Sequence, residues 1–141
     1  MRSSRQVGNP TRRGLIAAVA LPSTAGAAEG DAAFAARAMA LRNAASAGGD
    51  QPYGAVVVRG GRIISAAESR VVRDIDPTAH AELLAIRDAA RRIGSRDLSG
   101  SILYGSSPAC PMCRAAAFWA GISLLRHGPQ AEDSGTPRLA P

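Results

Sequence analysis

The chain has 141 residues, enough for one domain around one sizeable core. Hydrophobic residues make up 46% of it and charged residues 20%, which excludes an intrinsically disordered chain. All 17 basic residues are arginine and the formal charge is +6, but four of those arginines precede residue 28. Without them thirteen basic groups face eleven acidic ones, a balance of +2 that gives little support to a phosphate-backbone partner.

Residues 1–27 read as an export signal. Arg12 and Arg13 precede an apolar run from Leu15 to Leu21, Pro22 breaks the run, and Ala25-Gly26-Ala27 supplies a small-x-small cleavage site. The run is too short to span a bilayer. Thr11-Arg12-Arg13-x-Leu15 resembles a twin-arginine signal, which places the mature chain in the periplasm or outside the cell. The alternative is a cytoplasmic protein with an arginine-rich extension.

From Asp31, taken as an N-cap, Phe34, Ala38, Leu41 and Ala45 recur at helical spacing until Gly48-Gly49. Ala55–Val58 and Arg62–Ser65 then flank Gly60-Gly61 as a β-hairpin. A second helix follows Pro77, with Leu83, Leu84, Ile86, Ala90 and Ile93 as its buried stripe and Gly94 as its stop. "SILYGSS" reads as an interior strand, "PMCRAAAFWAGI" as a third helix starting at or beside Cys110, and "ISLLRHG" as a fourth strand. Residues 129–141 are turn-rich and read as a disordered tail. The order α-β-β-α-β-α-β predicts a layered α/β fold whose last two strands are parallel.

Cys110 and Cys113 are the only cysteines. Residues three apart at a helix start share a face, and the helix end favours thiolates. That suits a redox pair and a metal site equally. His80, also expected at a helix start, tips the reading toward metal. Two sulfurs and one imidazole with a fourth position open form the catalytic kind of zinc site, and the soft donors favour zinc over magnesium or calcium. Glu82, two residues past His80, is placed to move protons beside the open position.

H-x-E…C-x-x-C is the zinc deaminase signature. "PYGAVVV", "DPTAHAELLAIR", "LYGSS" and "CPMCRAAAFWAGI", in that order, make the chain resemble the cytidine deaminase superfamily, in particular its guanine deaminase and nucleoside deaminase branch, over roughly residues 31–127. The resemblance implies zinc ligands His80, Cys110 and Cys113, with Glu82 as the proton shuttle. It implies a domain over residues 28–128 with a three-layer α-β-α sheet of four to five strands, and a homodimer. The implied activity is hydrolytic release of ammonia from a small amino-heterocycle, a guanine-like base or nucleoside first. A tRNA adenosine deaminase or an inactive zinc-binding homologue is the alternative. Ser69, Ala81, Ser107 and Trp119 are the candidate substrate contacts; Trp119 suits a stacking wall, or a core or dimer contact. Three features depart from the family pattern. Pro108-Ala109 stands where Glu-Pro is usual, Ser69 stands where Asn is frequent, and the segment after "ISLLRHG" is short, so the C-terminus looks truncated and the fourth strand is expected as an exposed edge.

Overall fold

A computed structural model describes residues 30–139; the export-signal expectation lies outside the described residues. Helix α1 (Asp31–Ala47) is followed by strands β1 (Gly54–Arg59) and β2 (Arg62–Glu68), helix α2 (Ala81–Ile93), strand β3 (Ser101–Gly105), helix α3 (Pro111–Trp119), and strands β4 (Leu124–His127) and β5 (Glu132–Gly135). The sheet order is β2-β1-β3-β4-β5. β3 and β4, joined through α3, are parallel, as the crossover predicts, and the other pairs are antiparallel.

The alternation of side chains along β1 builds the three layers. Ala55 and Val57 point to one face, where they join Leu103, Leu125 and residues of α2 and α3. Val56 and Val58 point to the other, where they join Tyr104 and Phe34 and Ala35 of α1. Gly60 and Gly61 both have positive φ, as a two-residue turn between right-twisted strands demands.

Three expectations need correction. Gly30, not Asp31, is the N-cap of α1; Asp31 is the first helical residue, and its carboxylate meets Tyr104 and Arg126. The buried face of α2 is Ala81, Glu82, Ala85, Ile86 and Ala89, whereas Leu83 and Leu84 are only partly covered. Small side chains let that helix lie close to the sheet, so alanine takes the positions that a bulk-weighted reading gives to leucine. The tail is not wholly irregular. Residues 132–135 pair antiparallel with β4, so β4 is covered and the sheet has five strands. Glu-Asp-Ser-Gly carries no apolar alternation. Its strand form comes from the edge it pairs with, helped by a hydrogen bond between His127 Nδ1 and Ser134 Oγ of 2.6 Å and a contact from Arg114 Nη2 to the Ser134 carbonyl at 3.4 Å.

Gly54 fixes how closely α1 approaches β1. A Cβ there would fall 2.3 Å from the Ala38 carbonyl oxygen and 2.5 Å from the Arg42 nitrogen, both backbone atoms. Gly54→Ala is therefore expected to destabilise the fold by about 3 kcal/mol, because backbone atoms cannot rotate away as side chains do. Urea unfolding of the two proteins measures it, and equal midpoints would refute the close approach.

Candidate metal and catalytic site

The site forms where two helix N-termini meet at the carboxyl end of β3. His80 is the N-cap of α2 and Cys110 is the N-cap of α3, both with extended backbone. Pro111 opens α3, where its missing N–H costs nothing. Cys113, one turn into α3, is fully buried. Ser106 anchors the loop between β3 and α3, since its amide donates to the Gly54 carbonyl and its hydroxyl accepts from the Gly54 amide.

His80, Cys110 and Cys113 come together with their ligand atoms all within 4.8 Å of one another. The His80 Nδ1 atom lies 3.6 Å from Cys110 Sγ and 3.7 Å from Cys113 Sγ. Zinc–sulfur bonds of about 2.3 Å and zinc–nitrogen bonds of about 2.0 Å at a tetrahedral angle require a nitrogen–sulfur separation of about 3.5 Å, close to both distances. The donor set therefore fits zinc in both chemistry and spacing.

Glu82 lies in the first turn of α2 and is 5% exposed, and Cys113 Sγ donates to its Oε2 at 3.8 Å. Burial pushes the Glu82 carboxyl above its ordinary range, against a backbone hydrogen bond and the nearby His80 and Cys113, so protonation is easier than at a surface glutamate. Burial also pushes the Cys113 thiol up, helped by Glu82 and Cys110. Desolvation thus outweighs the thiolate-favouring helix end that the sequence suggested, and a metal cation is the partner that would offset it. A Cβ on Gly105 would sit 2.8 Å from the Ser107 carbonyl and 3.5 Å from Glu82 Oε1, so the strand end has no room for a side chain beside the carboxylate.

A cleft of about 490 Å³ opens beside this cluster, lined by Gln51, Tyr53, His80, Glu82, Ser107, Pro108 and Cys110. Of the four candidate substrate contacts, only Ser107 lines it. Ser69 is fully buried, and its hydroxyl donates to Asp50 Oδ1 at 2.9 Å, so it faces away from the cleft. Ala81 is fully buried in the core between α2 and the sheet. Trp119 is the last residue of α3, the far end from Cys110, and is 76% exposed; with Phe118, Arg96 and Asp97 it lines a separate cleft.

Sequence reasoning missed Gln51 and Tyr53. The register could have found them. Ala55 pairs with Gly105, so residues just before β1 must lie beside the loop that leads from β3 to Cys110. It also missed Asp50. Burial raises its carboxyl, but hydrogen bonds from Arg73 N, Gln51 N, Ser69 Oγ and Val72 N outweigh that and hold it at about 2.

Residues 28–127 match the cytidine and deoxycytidylate deaminase zinc-binding region, and the chain belongs to that family. It is 44% identical over 89 residues to the guanine deaminase of Bacillus subtilis, covering 63% of this chain and 57% of that relative. It is 46% identical over 89 residues to the tRNA-specific adenosine deaminase of Aquifex aeolicus, covering 62% and 59%. The X-ray structure of Bacillus subtilis guanine deaminase superposes with a TM-score of 0.69 at 35% identity, covering 75% of this chain and 73% of that one. The chain thus spans under two thirds of the length of these two curated relatives.

Metal affinity tests the cluster. Against a competing chromogenic chelator, the wild-type chain is expected to take one zinc, and His80→Ala is expected to lower the affinity at least about a hundredfold. Equal affinity in the two proteins would remove His80 from the site.

Proposed function

We propose that the protein is a zinc-dependent hydrolytic deaminase that releases ammonia from a small planar amino-heterocycle, with a guanine-like base or nucleoside as the leading substrate. One observation carries the reading: a buried glutamate, Glu82, borders the same cleft as a His-Cys-Cys cluster of zinc spacing. A cleft of about 490 Å³ falls in the range of small-molecule sites. The likeness to guanine deaminase in sequence and structure supports the choice of ring.

In this reading His80 Nδ1 and the two thiolates would hold the metal, which would supply Lewis acidity to lower the pKa of a bound water. Glu82 handles the proton. Its carboxylate takes one from the attacking water and returns it to the departing amino group, and burial shifts its pKa in the direction that makes the first transfer easier. Tyr53 offers an aromatic face, while Gln51 and Ser107 offer hydrogen-bonding groups to the ring edge. Among the described residues no helix is long and apolar enough to cross a membrane. Export through the signal at residues 1–27 belongs to the proposal, as does a homodimer, for which the exposed Phe118 and Trp119 supply an apolar contact.

The likeness to tRNA-specific adenosine deaminase supports a second reading, in which an RNA presents the adenine ring. An exported protein would not meet tRNA, so the location of the mature chain separates the two.

Glu82→Gln keeps the shape of the side chain and removes its proton transfer. It is expected to retain one zinc per chain while ammonia release falls at least about a hundredfold. A colorimetric ammonia assay decides it, and near wild-type release would overturn the role of Glu82.

A further inference from the structure

Two walls of the cleft, Gln51 and Tyr53, belong to a loop with no regular structure of its own, between α1 and β1. Something must hold that loop, and the contacts converge on Asp50. Its Oδ1 accepts from the Gln51 amide at 2.8 Å and the Ser69 hydroxyl at 2.9 Å. Its Oδ2 accepts from the Val72 amide at 3.1 Å and the Arg73 amide at 2.9 Å. The Ser69 amide completes the link by donating to the Tyr53 carbonyl at 3.0 Å.

The segment on the other side of this pin leads to the metal cluster. Arg70 N donates to the Ala79 carbonyl at 3.0 Å, one residue before His80, and Asp76 N donates to Val71 at 3.1 Å. The same segment contains Ile75, a β-branched residue at φ 51 that is 90% exposed. No packing explains that conformation, so the bonds around it must fix the chain there. Asp50 is 8% exposed and does not line the cleft.

We propose that Asp50 is a positioning residue. Its carboxylate pins the Gln51–Tyr53 wall to the segment that delivers His80, and so sets how tightly the cleft holds its ring without touching ring or metal. The kinetic consequence rests on the deaminase reading above; the mechanical consequence does not.

Asp50→Asn keeps the size of the side chain but replaces one acceptor oxygen by a donor group, so it cannot serve all four partners. Zinc content, amide hydrogen exchange and ammonia-release kinetics are compared with the wild type. The variant is expected to keep one zinc per chain, while the Gln51, Val72 and Arg73 amides exchange at least about tenfold faster. KM for the ring substrate is expected to rise about tenfold with kcat changed less than about threefold, the signature of weakened holding rather than damaged chemistry. Unchanged exchange at those three amides overturns the proposal, as does a fall in kcat at constant KM. Should Asp50→Asn fail to fold, Ser69→Ala removes one of the four bonds and is expected to raise KM about threefold; an unchanged KM there overturns it equally. A wild type that releases no ammonia would defeat the deaminase reading alone, and the exchange rates would then decide the role of Asp50.

Discussion

Two helix N-termini are held side by side, and the chemistry of the site depends on that juxtaposition. His80 caps α2 and Cys110 caps α3, each just outside its helix, so their donor atoms project into the gap where both helix dipoles are positive. What brings the ends together is packing. Ala81, Ala85 and Ala117 lie in one core with Leu103 and Leu125 of the parallel strand pair. Such small side chains let both helices sit low on the sheet, and the crossover from β3 to β4 fixes where α3 begins. Larger residues at those alanines would overpack the seam that positions the donors.

The same burial sets the electrostatics. Glu82 and Cys113 touch in an apolar surround, and both are driven toward their protonated forms. A cation between His80 and the sulfurs would reverse that preference for the thiols, leaving Glu82 as the group that gains and loses a proton. In the proposed mechanism, metal binding and proton transfer would be coupled through the Cys113–Glu82 contact between α3 and α2. The Gln51–Tyr53 side of the cleft rests on the hydrogen bonds of Asp50 to Gln51, Ser69, Val72 and Arg73.

Much of this was legible in the sequence. The hairpin and the parallel crossover follow from periodicity and glycine placement, and the H-x-E…C-x-x-C resemblance implies the meeting of His80, Cys110 and Cys113. The unreadable parts have physical reasons. β5 has no hydrophobic alternation, so its strand form exists only against β4. Trp119 and Cys110 share a helix, but eight residues of α3 separate them, and nine residues advance a helix about 13 Å, too far for one small cleft. Ser69 looked like a polar contact for a ring, yet a buried hydroxyl takes whatever acceptor is nearest, and here that is Asp50. Gln51 and Tyr53 carry no chemistry-bearing signature, although Tyr53 lies in the "PYGAVVV" segment, and their place at the cleft shows through the register of β1 against β3.

Glu82 beside the His80, Cys110 and Cys113 cluster predicts a metal centre that performs chemistry rather than one that only stabilises the fold. The most direct measurement is ammonia release by the zinc-loaded protein across purines, pyrimidines and triazines bearing an exocyclic amino group. Catalytic release from at least one of these rings, lost when a chelator removes the zinc and regained on its return, is the predicted result. One zinc bound per chain with no ammonia from any ring would contradict it and leave a zinc-stabilised domain without catalysis.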